Sequence, residues 1–196
     1  MSDSTPPQPS ERQREPEEEE ALPWYRQPWV HFSAGFAILV SLLEVGYHGY
    51  ALQSDVFSDF LKMLARTTGA LLEPFYERVN VLHARVATNK FVVTVDEGCD
   101  GLQVCTLLTA AVIAFPSTWK QKLVGVVLGN LWLQAWNVTR IATLVVVGGI
   151  NRDWFHPTHV YVWPTLLIAI CLGTWLTWAN WILRDEDTHE RTEAPA

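Results

Sequence analysis

Three residues of this chain have the side-chain types that acyl transfer needs: the thiol of Cys99, the guanidinium of Arg140 and the imidazole of His159. A thiolate is a strong nucleophile, and a nearby cation favours it over the thiol. A guanidinium can also donate to the oxyanion of a tetrahedral intermediate, most effectively in a dry site. An imidazole can return the proton to a leaving amine. The thiol stands in Glu97-Gly98-Cys99-Asp100-Gly101, where polar chain gives way to an apolar run. Glu97 and Asp100 oppose the thiolate, so the two cations must outweigh them.

Whether these groups meet depends on the elements that carry them. The charge lies mostly at the ends of the chain. Residues 1–28 are acidic and proline-rich, and residues 185–196 are densely charged. Neither can bury enough apolar surface to offset the entropy of ordering, so both are expected to be disordered cytoplasmic tails. They supply much of the net charge of −7, a balance that argues against a nucleic-acid partner. Met1 is followed by neither a basic segment nor an apolar core, so the first apolar run is expected to act as an uncleaved signal anchor. The three cysteines form no CxxC pair and show no metal-ligand spacing. No metal or other cofactor is expected.

Between the tails, residues 29–184 read as one membrane-embedded domain. Apolar runs cover Val30 to Tyr47, Gly101 to Phe115, Leu123 to Gly148 and Val160 to Leu183. A crossing takes roughly 18–20 apolar residues. Residues 56–75 carry Phe57, Phe60, Leu61, Leu64, Leu71, Leu72 and Phe75 on one helical face, with Asp59, Lys62, Arg66 and Glu73 on the other. That pattern fits an interfacial amphipathic helix, and equally a helix packed on a small layer outside the membrane. Val79 to Val86, a turn at Thr88-Asn89-Lys90 and Phe91 to Val95 read as a β-hairpin. The expected fold is an all-α polytopic membrane protein, with about four transmembrane helices, an extracytoplasmic amphipathic helix and that hairpin.

Arg26, Lys120, Lys122 and Arg184 flank the runs, and placing all four inside satisfies the positive-inside rule. Both termini are then cytoplasmic, and Cys99 and His159 open their spans at the outer face. Arg140 lies eighteen residues beyond Lys122. That separation rises about 27 Å along a helix, which brings Arg140 near the same face.

Asn130, Gln134, Asn137 and Arg140 recur at helical spacing and form one polar stripe. Polar groups inside a membrane face the bundle interior and mark function, or they serve as interhelical glue. Glue fits Asn130 and Gln134 better, with Gly125 and Gly129 beside them, and function fits Asn137 and Arg140 better. Each site residue also has a plainer reading: Cys99 as an incidental helix-start cysteine, Arg140 as a side chain snorkelling to the headgroups. His156 competes with His159. Their HxxH spacing lacks the following glutamate of a zinc helix and has Pro157 between the two.

Cys99-Asp100-Gly101, Asn137-Val138-Thr139-Arg140-Ile141 and His159-Val160-Tyr161-Val162-Trp163 together resemble the exosortase/archaeosortase family, most closely its short exosortase H type. The resemblance covers roughly Trp29 to Leu183. It implies a multi-pass cysteine transpeptidase or protease of a prokaryotic cytoplasmic (inner) membrane, working on its outer or periplasmic side. Its implied partners are membrane lipids and exported proteins with a C-terminal sorting signal made of a short motif, a transmembrane helix and a basic cluster. Cys99 would be the nucleophile, Arg140 the oxyanion or thiolate stabiliser and His159 the acid/base. Asn137, Glu97, Asp100 and His156 are candidate substrate-binding or supporting residues. Asp100 departs from the family, which commonly has Ser or Thr there. The alternative from another class is a non-catalytic membrane assembly or transport accessory protein.

Overall fold

The computed structural model describes residues 27–193, and nothing is stated of side chains at residue 28 or beyond 184. The acidic segment before residue 27 therefore lies outside the described residues. Helix α1 spans Pro28–Gly46 and continues into a π-helical turn, Tyr47–Ala51. Helix α2 spans Asp55–Leu72, its first turn capped by Ser54 Oγ, which accepts from Phe57 N at 3.1 Å. Three strands follow, β1 (Val79–Leu82), β2 (Arg85–Thr88) and β3 (Val92–Thr94). The remainder is helical: α3 (Leu102–Ala114), α4 (Trp119–Ile150), α5 (Arg152–Pro157) and α6 (Trp163–Glu193), with a second π-helical turn at Thr158–Val162.

Among the described residues, three stretches are long and apolar enough to cross a membrane: Trp29–Ala51, Trp119–Ile150 and Arg152–Arg184. The run expected as the second span is the exception. Positive φ at Gly101 and Pro116 just past the far end leave α3 with 13 residues. That is about 20 Å of helix against about 30 Å of hydrocarbon. Helix α3 instead sits inside the bundle, packed on α1, α4 and α6. Lys122 Nζ donates to Ile113 O at 2.7 Å, so the basic turn caps α3 from the start of α4.

The expected hairpin is a three-stranded antiparallel meander, β1-β2-β3. The run expected as one strand folds on itself because His83 adopts φ 56°, the left-handed conformation that a tight turn needs. Leu82 then pairs with Arg85, and Val86 with both Val81 and Val93. Helix α2 lays Phe57, Leu61, Leu64 and Leu72 on this layer and on α4, leaving Val56 and Met63 outside. Of the two roles open to the amphipathic helix, its apolar face takes the packing one. A second apolar cluster joins α3, α4 and α6 around Leu108, Leu133, Leu144 and Leu167.

Two helix ends differ from expectation. The helical stretch that leads through α5 and the π-helical turn into α6 begins at Arg152, so His159 lies within it rather than at its mouth. The π-helical turn absorbs Pro157, which has no N–H to give to the helical ladder. At the other end the backbone of α6 stays helical to Glu193, inside the stretch expected to be disordered. Extending an established helix adds one hydrogen bond per residue without a new nucleus.

Leu64 is 2% exposed at the α2–sheet contact and Met63 is 53% exposed beside it. Leu64→Ala is expected to cost about 2–5 kcal/mol and Met63→Ala a small fraction of that, read by unfolding in detergent. Equal effects would contradict this packing.

Candidate active site

The nucleophile candidate sits in a turn built from its own sequence. Cys99 N donates to Asp96 O at 2.9 Å, closing a four-residue turn with Gly98 at φ 82°. A type II turn requires that conformation at its third position, and glycine adopts it without a steric penalty. Gly101 (φ 74°) then turns the chain into α3. A Cβ on Gly101 would stand 2.7 Å from Asn137 Cγ, so a side chain here would displace the buried Asn137 amide.

Helix α4 holds the turn by its carbonyls. Arg140 Nη1 donates to Gly98 O at 3.2 Å, Asn137 Nδ2 to Cys99 O at 3.0 Å and Gln134 Nε2 to Asp100 O at 3.0 Å. Three successive carbonyls thus take three side chains spaced three apart along α4. Asn137 is fully buried, and the stripe goes on with Asn130 Nδ2 donating to Thr109 Oγ1 at 2.9 Å. Gln134 therefore belongs with Asn137 and Arg140 at the turn. Its place in the stripe was the signal available for it, and only the contact separates it from Asn130.

Cys99 Sγ lies 3.9 Å from both Nδ1 and Nε2 of His159, the reach of a weak sulfur contact. The imidazole is held by a stack of rings. Phe155 lies parallel to it, with centroids 5.8 Å apart, and Phe155 packs on Phe91 at 5.1 Å. A residue from the sheet layer thereby sets the histidine's orientation. Cys99, Arg140 and His159 come from three separate elements and meet at one place.

The supporting candidates divide. Asn137 and Asp100 are buried in the site, whereas Glu97 and His156 are exposed at its edge. Among the described residues no group of three His, Cys, Asp or Glu side chains is gathered so as to hold a metal ion. Arg140 makes no ion pair among the described residues, and its buried Nε has no hydrogen-bond partner. A cavity of about 140 Å³ lies beside the turn, lined by Gly98, Asp100, Gln103, Arg140, Pro164 and Leu167 among others. A guanidinium that lines such a cavity is what an incoming carbonyl or oxyanion would use.

No protein-family model, curated protein or solved structure matches this chain.

Burial pushes the Cys99 thiol above its ordinary range. Arg140 opposes that shift, and the Asp100 and Asp96 charges add to it. Because the folded pKa is raised, the thiolate fraction stays small near neutrality and grows as pH rises past the range of an exposed cysteine. Alkylation of Cys99 should therefore still be accelerating at a pH where an exposed thiol has levelled off. Arg140→Gln removes the opposing cation and should move the profile to higher pH. Peptide mass spectrometry of iodoacetamide-treated protein measures both, and an unchanged profile in Arg140→Gln would remove Arg140 from this role.

Proposed function

We propose that this protein is a membrane-embedded cysteine transpeptidase or protease, acting through a thioacyl-enzyme at Cys99. The observation that carries the proposal is the meeting of buried Cys99 and Arg140 with half-buried His159, from positions far apart in the chain, where the guanidinium has no ion-pair partner among the described residues.

The resting nucleophile is a protonated thiol, because burial disfavours its charge. Attack is then coupled to proton transfer. As Sγ bonds to the substrate carbonyl carbon, the thiol proton passes to His159, and negative charge builds on the carbonyl oxygen. Arg140 is placed to stabilise that charge from the cavity side. Collapse of the intermediate breaks the C–N bond, and His159 returns the proton to the leaving amine. A thioester on Cys99 remains. An acceptor amine or water attacks it, the C–S bond breaks and the thiol is restored. Asn137 and Gln134 touch no reacting atom and act as positioning residues through the turn's carbonyls.

The substrate class follows from the resemblance to exosortases: exported proteins with a C-terminal motif, transmembrane helix and basic cluster. We place the site toward the outer face of a prokaryotic cytoplasmic membrane, with both termini inside. That arrangement needs four membrane passages, the α3 segment and its flanking loops making up one of them.

Cys99→Ala is expected to abolish processing, a loss of about 10³-fold or more, while the protein still inserts and folds. Cells carrying it should accumulate exported proteins that retain their C-terminal hydrophobic segment, seen by membrane proteomics. In wild-type protein, hydroxylamine should release a peptide held on Cys99 as a thioester. Retained processing in Cys99→Ala would sink the proposal and favour the accessory-protein alternative.

A further inference from the structure

Asp100 is the residue that the acyl-transfer scheme does not use. It follows the nucleophile directly and is 1% exposed, so its carboxylate is buried. Such a group persists only where hydrogen bonds replace its water. Oδ1 accepts from Leu102 N at 2.8 Å, at the start of α3. Oδ2 accepts from the hydroxyl of Tyr47, which lies 53 positions away. Tyr47 belongs to the π-helical turn after α1, a local widening that often marks functional sites. Its ring is 8% exposed and held edge-on by Phe57 at 6.0 Å and by His48 at 5.0 Å.

Asp100 and Arg140 line the same cavity, yet no ion pair joins them. Opposite charges lining one cavity would attract and pair if the carboxylate were free to turn. Both carboxylate oxygens are occupied instead, one by the α3 backbone and one by Tyr47. Loss of the Tyr47 hydroxyl would leave Oδ2 without that partner and with Arg140 as the nearby cation. The guanidinium would then be neutralised, and its support for the Cys99 thiolate would go with it.

We propose that Tyr47 is a positioning residue that holds Asp100 turned away from Arg140, which keeps the guanidinium available to Cys99 and to an incoming carbonyl. The proposal rests on Cys99 being the nucleophile. It makes the first helix part of the site and gives a reason for an acid beside the thiol.

The charged and titratable groups around the site are few. Arg140 faces Cys99 from α4, His159 from the second π-helical turn, and Asp96 and Asp100 from its own turn. Glu44 and His48 lie near Tyr47 on the first helix, Glu97 is on the Cys99 turn, and the Cys105 thiol is on α3.

The test is the rate of Cys99 alkylation by iodoacetamide against pH, on the full chain in lipid, read at that residue by mass spectrometry. Tyr47→Phe keeps the ring and removes only the hydroxyl. It should slow labelling near neutrality by about tenfold, the effect of a one-unit rise in thiol pKa, and move the profile to higher pH. Adding Asp100→Asn removes the charge that would quench Arg140, and with it that charge's own push on the thiol, so Tyr47→Phe/Asp100→Asn should label at the parent rate or faster. Parent-like labelling in Tyr47→Phe overturns the proposal, as does a double variant that stays slow, because packing rather than charge would then be at work. If Cys99 of the parent resists alkylation at every pH, the nucleophile assignment falls and this proposal with it. If the parent reacts and only the Tyr47 result fails, the nucleophile stands alone.

Discussion

The site depends on three backbone carbonyls. Gly98, Cys99 and Asp100 present successive C=O groups to Arg140, Asn137 and Gln134, one for each step of three along α4. A turn carrying a nucleophile has few hydrogen bonds of its own, and each buried carbonyl left unpaired would cost on the order of 1–3 kcal/mol. The long helix satisfies all three and so converts its rigidity into a fixed position for the thiol. The same contacts explain why Gly101 faces α4 without a side chain, since the space belongs to Asn137.

The rest of the fold serves that contact from two sides. From the sheet layer, Phe91 packs on Phe155 of α5, which lies parallel to the imidazole, while Cys99 itself joins the apolar cluster formed by α2 and the strands. From the bundle, α3 is too short to cross a membrane and is instead ringed by longer helices. At its start, Cys99, Asp100 and Arg140 are buried. Such burial disfavours the thiolate, and the proposed chemistry accommodates it by moving the proton to His159 during attack rather than before it.

Asp100 looks wrong in the sequence and orderly in the fold. An acid next to a nucleophilic thiol should hinder it, and its charge does push the thiol in that direction. Its two oxygens, however, are committed to the α3 backbone and to Tyr47. A residue that reads as a defect in one dimension becomes a tie between the first helix and the Cys99 turn in three.

Much of this was legible in the chain. Hydropathy marked three of the long apolar helices, 3.6-residue periodicity marked α2 and the polar stripe on α4, and residue chemistry singled out Cys99, Arg140 and His159. These signals are local or periodic, so one dimension carries them. The second hairpin turn at His83, the early start of the last helix and the short α3 were not legible, because each hangs on a backbone conformation that the surrounding packing selects. Nor was the split among the polar residues, in which Gln134 joins the site while Glu97 and His156 stay exposed. The sequence by itself determined which groups are present and that α4 shows a polar face. Only the tertiary structure decided that this face grips the carbonyls of residues 98–100, and that Tyr47 reaches Asp100. Contacts between residues 34–60 positions apart depend on how helices pack, which no local pattern encodes.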